Sequence, residues 1–423
     1  MEPHRIDEPV FNGHAYVYEA GKEHARSIVL VHGLGNEGAR DFTEQVAWLA
    51  RSFHVVAVDL PGFGQSDKAN LVYSPSSYAA FIKHVADRFV RRPFVLIGHS
   101  MGGVVALRYT ALHPESVSRL VVVAAPGVLH RYAFLSERLD NLKSDLLPSA
   151  VDPFAQFAKL ARKILGRAER SNFDPETILA SPTLRERVLG GDPASIAGLA
   201  VAIENLSKQL PQLQTETLVI WGKDDTTAPL RTGKLLAHVL PRARLVVIDK
   251  AAHVPMQETP ERFRAVLEPF LAGGLAAAPI APVQKKHGDV RCDSKRNLVY
   301  EGEYDSLTLK GCKNVHIRNA RVRALQLVSS TVSIEHSHIG GGEVGLDANG
   351  ATVVATGGRI EGDVAINARG SRIDLAGVDV EGREAAVTAP KESSVIFSVS
   401  RVKSPYRSGD FHGYFAVVKE KPL

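Results

Sequence analysis

Two patterns of hydrophobic residues divide this chain. From residue 27 to about residue 270, short runs rich in Val, Ile and Leu alternate with stretches whose apolar residues recur at helical spacing. The runs cover residues 27–31, 54–59, 94–98, 120–124, 218–221 and 245–248. Because strands covered by helices on both faces are apolar along their whole length, this alternation predicts an α/β fold with a doubly wound, mostly parallel sheet.

The alternation of strands and helices stops between residues 128 and 210. Polar, helix-favouring stretches such as residues 154–164 and 194–206 replace it, and they contain no clear pattern of a buried strand. We therefore expect residues 1–127 and 211–271 to form the α/β core, with residues 128–210 inserted as a helical cap.

Residues 272–287 have the composition of a linker. The run from residue 271 to residue 284 consists mostly of Gly, Ala and Pro and carries no charged side chain. Such a segment does not pack as a regular element. We expect a domain boundary here, followed by a second domain over residues 288–423.

A repeat of about 20 residues characterises the second domain. In each copy one apolar residue is followed seven positions later by another: Val315 and Val322, Val332 and Ile339, Val353 and Ile360, Ile373 and Val380, Val395 and Val402. Successive copies start 17, 21, 20 and 22 residues apart. Repeats too short to hold their own core predict an all-β solenoid, a short parallel β-helix, and an antiparallel sandwich is the alternative.

Residues 401–423 lose this repeat and are rich in aromatic side chains. They contain Tyr406, Phe411, Tyr414 and Phe415. We expect these aromatic residues to cover the open end of the stack, and a ligand-binding aromatic patch is the alternative.

The composition of the chain restricts the kinds of binding partner that we expect. The 423 residues are 44% hydrophobic and 23% charged, which is typical of a globular protein, and no apolar run reaches the roughly 18 residues that span a bilayer. The net charge of +5 is spread thinly, without a dense basic block. We expect no nucleic-acid partner and no transmembrane segment. The sequence also contains no metal-ligand cluster or nucleotide-binding loop, so we expect no metal and no cofactor.

The only two cysteines give information about the cellular compartment of the protein. Cys292 and Cys312 lie 20 residues apart and cannot form a zinc site by themselves. We favour two small buried residues, and the alternative is one disulfide, which is typical of exported proteins. The N-terminus lacks the basic and apolar segments of a signal peptide. The localisation stays open, with export (periplasmic or secreted) slightly favoured over the cytoplasm.

Residues 98–103, Gly-His-Ser-Met-Gly-Gly, stand directly between a predicted strand and a predicted helix. This is the G-x-S-x-G pattern in the strand–turn–helix setting that a nucleophile requires. The turn is so sharp that Gly98 and Gly102 must lack side chains. The pattern predicts that Ser100 is a nucleophile at the carboxyl edge of the sheet.

A serine hydroxyl needs a nearby base that is itself held by a carboxylate. Asp225 follows the predicted strand 218–221, and His253 follows the predicted strand 245–248. Both therefore reach the same edge of the sheet as Ser100. We expect His253 to be the general base and Asp225 the orienting acid, with the adjacent Asp224 as the alternative acid.

Residues 10–270 resemble the α/β-hydrolase superfamily, in particular its capped serine esterases and C–C hydrolases. The resemblance rests on W-G-x-x-D-x-x-x-P at 221–229, D-x-P-G-x-G-x-S-D at 59–67 and H-G-x-G at 32–35. It implies that Asp225 is the acid. It also implies an oxyanion hole formed by the backbone N–H groups of Leu34 and Met101, with His32, Gly33 and His99 shaping the surrounding turns.

Serine at position 100 points to acyl transfer, because the related dehalogenases and epoxide hydrolases use aspartate there. We expect hydrolysis of a carboxylic ester, small or lipid-like, by an esterase or lipase. The alternative is C–C hydrolysis of ring-cleavage diketones, whose enzymes more usually carry Asn where this chain has His99. Acyltransferases and perhydrolases use the same residues and stay open.

The repeats of the second domain would present long, flat faces. We expect this domain to serve targeting, substrate presentation or assembly, through a polysaccharide, a protein partner or a homo-oligomer. The alternative is a polysaccharide-binding or structural solenoid to which a hydrolase is attached.

Overall fold

The computed structural model describes residues 1–35, 37–141, 174–275, 285–419 and 421–423. The chain divides into two compact units, Met1–Ala276 and Ala277–Leu423. Most of the predicted linker, residues 276–284, lies outside the described residues, as does the central part of the predicted cap, residues 142–173.

The N-terminal unit is built on one mixed sheet, eight-stranded in the described residues. Its strands are β1 Glu2–Glu8, β2 Gly13–Ala20, β3 Ser27–Val31, β4 His54–Asp59, β5 Phe94–His99, β6 Val117–Val123, β7 Thr217–Gly222 and β8 Ala243–Ile248. Their order is β1-β2-β4-β3-β5-β6-β7-β8, and the strands from β3 onward pair in parallel. The predicted mostly parallel sheet is confirmed.

Strands β1 and β2 are absent from the predicted strands. They pair antiparallel, and β2 pairs antiparallel with β4. Residues of β2 alternate between buried and partly exposed positions, unlike β3, β4 and β5, which are buried throughout. A search for continuous apolar runs therefore misses them.

Helices connect the parallel strands. In the described residues they are α1 Thr43–Leu49, α2 Pro75–Phe89, α3 Met101–Leu112, α4 Arg131–Asn141, α5 Glu176–Ala180, α6 Pro182–Leu189, α7 Pro193–Ile203, α8 Leu230–Val239, α9 Pro255–Glu258 and α10 Pro260–Gly273. Local sequence explains several helix starts: the Asp192 side chain accepts a hydrogen bond from the Ser195 amide, and Pro193 occupies the first turn of α7. Within the described residues, no helix is long and apolar enough to span a bilayer.

The described part of the predicted cap is helical. It comprises α4 to α7, and α7 coincides with most of the predicted stretch 194–206, whereas the stretch 154–164 lies outside the described residues. Glu204, next after α7, forms a largely buried ion pair with Arg108 of α3. This ion pair links the segment after α7 to the helix that follows Ser100.

The C-terminal unit is all-β in its described residues. Its strands are β9 Lys286–Asp293, β10 Val299–Lys310, β11 Val315–Val322, β12 Leu325–Val328, β13 Thr331–Gly340, β14 Val344–Asn349, β15 Thr352–Arg369, β16 Arg372–Ala376, β17 Asp379–Lys391, β18 Ser393–Lys403 and β19 Ser408–Val417. Every pairing among β9 to β18 is parallel. Six of these strands, β10-β11-β13-β15-β14-β12, pair in a ring and form a closed parallel barrel. The alternative of an antiparallel sandwich is therefore wrong.

Equivalent positions of the sequence repeat lie side by side across these strands. The paired residues are Val315 with Val332, Val332 with Val353, Val353 with Ile373, and Ile373 with Val395. All five are essentially fully buried. The apolar residues of the repeat thus form one continuous core that no single copy could provide.

Cys292 and Cys312 are joined by a disulfide, so the favoured interpretation of two free buried cysteines is wrong. Cys292 lies in β9 beside Leu309 of β10, and Cys312 follows β10. The parallel pairing of β9 with β10 brings the two residues close enough for this bond, with Cα atoms 6.6 Å apart.

The final strand closes the end of the unit. β19 pairs antiparallel with β18, and the rings of Phe411 and Phe415 pack 5.5 and 5.7 Å from the ring of Phe397. Tyr406 and Tyr414 are instead exposed. The two phenylalanines therefore extend the core, whereas the two tyrosines face solvent.

Candidate active site

Ser100 stands in a sharp turn between β5 and α3. Its backbone has φ 53° and ψ −121°, a conformation that is rare for residues other than glycine. A Cβ on Gly98 would lie 2.2 Å from the Gly102 carbonyl oxygen, and one on Gly102 would lie 2.2 Å from the Val31 carbonyl oxygen. The turn is therefore possible only because both positions are glycine, as the sequence predicts.

Ser100, His253 and Asp225 form a continuous chain of hydrogen bonds. The Ser100 Oγ lies 2.9 Å from His253 Nε2, and His253 Nδ1 lies 2.9 Å from Asp225 Oδ2. A carboxylate only accepts hydrogen bonds, so Nδ1 carries the proton and Nε2 is left to accept from the serine hydroxyl. This tautomer is the one a general base needs.

Asp225 is held in place by its own loop. Its second oxygen, Oδ1, accepts hydrogen bonds from the amides of Thr227 at 2.8 Å and Ala228 at 2.9 Å. The Trp221 indole in turn donates to the Ala228 carbonyl at 2.9 Å. Asp224 is exposed and contributes only its backbone amide, which donates to Ala251. Of the two candidate acids, the structure places Asp225 against His253.

His99 contacts the main chain of His253. Its Nε2 lies 2.9 Å from the His253 carbonyl oxygen. Burial, together with the nearby His253, lowers the pKa of His99 to about 3. The ring is therefore neutral at physiological pH, and its Nε2–H donates to the carbonyl. The sequence identifies His99 only as a neighbour of the nucleophile; in the fold it fixes the backbone that carries the base.

His32 and Gly33 position the loop that precedes Leu34. His32 Nδ1 lies 2.7 Å from the Gly33 carbonyl, and His32 Nε2 accepts the Leu60 amide at 3.0 Å. Burial lowers the pKa of His32, so this ring is also neutral. A Cβ on Gly33 would lie 2.9 Å from the Ser100 Cβ. The loop backbone therefore lies directly against the nucleophile.

Met101 follows Ser100 directly in the chain. It is the first residue of α3, and the first amides of a helix have no partner within the helix. The helix dipole adds partial positive charge at this end. The assignment of the Leu34 and Met101 amides to an oxyanion hole stays a prediction from the sequence.

Residues 59–67 have a structural role. Asp59 accepts hydrogen bonds from the amides of Ala39 at 2.7 Å and Gln65 at 2.8 Å, and from the Tyr18 hydroxyl at 2.9 Å. Burial and this carboxylate raise the pKa of Tyr18. Asp59 thereby fastens the segment that follows the loop at His32 to the turn at Gln65.

A model of the alpha/beta hydrolase fold family matches residues 26–260. The chain belongs to this family. The unit Met1–Ala276 is therefore named the hydrolase domain below, and the unit Ala277–Leu423 the β domain.

Relatives of the hydrolase domain include enzymes of two kinds. The chain is 28% identical over 253 residues to a pimeloyl-[acyl-carrier protein] methyl ester esterase of Neisseria meningitidis serogroup B, covering 59% of this chain and 94% of the relative. It is 27% identical over 284 residues to a 2-hydroxy-6-oxononadienedioate/2-hydroxy-6-oxononatrienedioate hydrolase of a Pseudomonas species, covering 63% and 95%. The crystal structure of a membrane phospholipase A, a bacterial virulence factor, superimposes with a TM-score of 0.50 at 26% identity, covering 64% of this chain and 86% of that one.

Within the described residues, no group of three His, Cys, Asp or Glu side chains is arranged to hold a metal ion. Ser100, His253 and Asp225 are instead hydrogen-bonded to one another.

Asp41 is a further ionisable group near this site that the sequence does not reveal. Burial raises the pKa of its carboxyl to about 6, helped by Glu37 and Asp59 and opposed by the Gly33 amide and His253. Its carbonyl accepts a hydrogen bond from the Gln257 side chain at 3.0 Å. Asp41 therefore stands between the loop at Gly33 and the segment after His253, where no sequence pattern marks it.

Replacement of Asp225 by Asn should abolish the reactivity of Ser100, because an amide at this position no longer enforces the tautomer in which His253 Nε2 accepts a proton. We expect the rate of labelling by a fluorophosphonate probe to fall by roughly 10³ to 10⁴-fold. The matched variant Asp224→Asn should label within about twofold of the wild-type rate, because Asp224 is exposed. Equal losses in both variants would contradict the assignment.

Asp41→Asn should change the pH dependence of stability. A carboxyl whose folded pKa is raised stabilises the fold fully below its unfolded pKa and loses that contribution as the pH rises through about 6. The free energy of unfolding of Asp41→Asn, relative to wild type, should therefore increase between pH 4 and pH 7, by about 2–3 kcal/mol at most.

Urea titrations followed by tryptophan fluorescence measure this effect in the hydrolase domain, because both tryptophans, Trp48 and Trp221, lie there. The exposed residue Glu261 offers a control, and Glu261→Gln should leave the pH profile nearly unchanged. A flat difference between Asp41→Asn and wild type across this range would show that the carboxyl is not buried as described.

Proposed function

We propose that the hydrolase domain cleaves a carboxylic ester through an acyl-enzyme, with Ser100 as nucleophile, His253 as general base and Asp225 as the orienting acid. The observation that carries the proposal is the unbroken chain of hydrogen bonds from Ser100 through His253 to Asp225. The family assignment supports hydrolytic chemistry.

In the first half-reaction, the Ser100 Oγ attacks the ester carbonyl carbon while its proton passes to His253 Nε2. Negative charge develops on the carbonyl oxygen, and the amides of Leu34 and Met101 are the donors that we assign to it. The carboxylate of Asp225 stabilises the imidazolium that forms on His253. His253 then gives the proton to the departing alcohol, which leaves an ester between Ser100 and the acyl group.

In the second half-reaction, water attacks the acyl-enzyme. His253 takes a proton from the water and returns it to the Ser100 Oγ, and the carboxylic acid leaves. The neutral state of His99 suits this cycle, because a second cation beside His253 would disfavour the imidazolium. His253 thus remains the histidine that changes charge.

The relatives support an ester more directly than any other substrate class. One curated relative is named as a methyl ester esterase, and the superimposed structure is titled a phospholipase. The other curated relative is named as a hydrolase of a 2-hydroxy-6-oxo dienedioate, which keeps C–C bond hydrolysis as the second candidate. His99 favours the ester, because the resembling C–C hydrolases more usually carry Asn before the nucleophile.

For the β domain we propose a stack of solenoid turns that targets the hydrolase, presents its substrate or supports assembly. The pairing offsets of 17 to 22 residues between equivalent positions, such as Val315 with Val332 and Ile373 with Val395, support stacked turns of chain. A binding role for a polysaccharide or protein is compatible with the long parallel rows of side chains that such a stack exposes.

Hydrolysis of p-nitrophenyl esters from acetate to palmitate tests the proposed reaction, with one ring-cleavage diketone added to the panel. We expect ester turnover in the wild type and a loss of at least about 10³-fold in Ser100→Ala, because the nucleophile is removed. Ser118→Ala is the matched control, since Ser118 is an exposed serine of β6, and it should retain full activity. The chain-length profile would define the size of the acyl pocket.

Two outcomes would overturn the proposal. Turnover of the diketone without turnover of any ester would assign the domain to C–C hydrolysis. Ester turnover that persists in Ser100→Ala would assign the reaction to another residue.

A further inference from the structure

A groove of about 300 Å³ opens on the β domain and shares no lining residue with the site around Ser100. Its walls come from neighbouring strands: Lys286 and His287 of β9, residues 303–305 of β10, Arg321 of β11, and the following Arg323. This volume is at the lower end of the range of small-molecule sites, about 300–1,000 Å³. The groove therefore suits a ligand of one or two sugar rings.

Among the described residues, three unpaired cations line this groove, whereas several arginines of the same domain are paired. Arg318, Arg359 and Arg383 each pair with a neighbouring carboxylate, at Glu301, Glu361 and Asp363 respectively. Lys286, Arg321 and Arg323 line the groove, and none of them makes an ion pair within 4.0 Å in the part of the chain that the structure describes. These three charges remain available for an anionic group of a ligand.

Two carboxylates alternate with these cations. Glu303 is the register partner of both Lys286 and Arg321 on the adjacent strands, and Asp305 follows two residues later. Carboxylates accept hydrogen bonds from hydroxyl groups and repel a compact group that carries more than one negative charge. The mixture therefore suits a sugar ring that combines one negative charge with several hydroxyls better than it suits a phosphate.

An aromatic stack forms part of the same wall. The His287 ring lies parallel to the Tyr304 ring, with centroids 4.8 Å apart and an interplanar angle of 15°. Tyr304 is buried and its hydroxyl donates to the Glu301 carbonyl at 2.9 Å, whereas His287 is exposed. The face of a π-system is negative, so it attracts the weakly positive C–H groups of a sugar ring.

Two glycines line one corner of the groove. Gly340 and Gly341 have φ of 144° and 119°, which favours glycine. A Cβ on Gly340 would lie 2.3 Å from the Glu361 carbonyl oxygen, so no side chain can occupy this position. The backbone at this corner is thus packed closely against the neighbouring strand.

We propose that this groove binds an acidic sugar, a pyranose ring that carries one carboxylate. Arg321, Arg323 and Lys286 hold the carboxylate, with Arg able to bind it through two parallel hydrogen bonds. Glu303 and Asp305 accept hydrogen bonds from ring hydroxyls, and the ring packs on His287. The site does not depend on the reaction proposed for the hydrolase domain.

Isothermal titration of the full chain with β-1,4-mannuronate tetramer tests this site. The neutral β-1,4-mannotetraose is the matched ligand, because it keeps the ring stereochemistry and lacks the carboxylates. We expect the acidic tetramer to bind at least about tenfold more tightly than the neutral one, and the double variant Arg321→Gln/Arg323→Gln to lose about tenfold or more of that affinity. His287→Ala should weaken binding of the acidic tetramer as well.

The double variant Arg318→Gln/Arg383→Gln controls for net charge. It also removes two positive charges, but from arginines that are already paired with carboxylates. It should bind the acidic tetramer as the wild type does, and thermal unfolding of all variants should confirm an intact fold. An equal loss of affinity in this control would reduce the interaction to non-specific charge attraction and overturn the site. So would the absence of binding by the acidic tetramer, or tighter binding of inorganic phosphate.

Discussion

The hydrogen bond between the Ser100 Oγ and His253 Nε2 is the contact on which the site depends, and it joins residues that are 153 positions apart in the chain. It requires that Ser100 project from the turn after β5 while His253 follows β8 at the same edge of the sheet. The strained backbone of Ser100 provides the first condition. This turn requires glycine at positions 98 and 102, because a side chain at either position would clash with backbone atoms. The parallel order of the strands provides the second.

The electrostatic environment of the site keeps two of its three imidazole rings neutral. Three imidazoles lie within or beside the site, yet burial keeps His99 and His32 neutral, and both use their N–H groups to hold backbone carbonyls. Asp225 presents its carboxylate to His253 alone among these rings. The arrangement therefore keeps the loop at Gly33 and the backbone of His253 in fixed positions.

The sequence predicts the elements whose signals are local. Gly98, Ser100 and Gly102 form a pattern within a few residues, and Asp225 and His253 are found because each follows an apolar strand. The repeat of the β domain can likewise be recognised from the sequence, because Val315, Val332 and Val353 occupy the same position in successive copies. The roles of His99 and Asp41 are not readable, because they depend on contacts with His253, Gln257 and Gly33 that only the folded chain creates. The disulfide is a different case: Cys292 and Cys312 are 20 residues apart, within the range of the repeat spacing, but both precede the first copy at Val315. Only the pairing of β9 with β10 in the folded chain brings them together.

The central claim is that an acyl group is transferred to the Ser100 Oγ. Rapid mixing of the enzyme with p-nitrophenyl butyrate, followed by acid quenching and peptide mass spectrometry, tests it most directly. The account predicts a butyryl adduct on the peptide that contains Ser100, with its formation abolished in Asp225→Asn. Turnover without an adduct on Ser100, or an adduct on another serine, would contradict it.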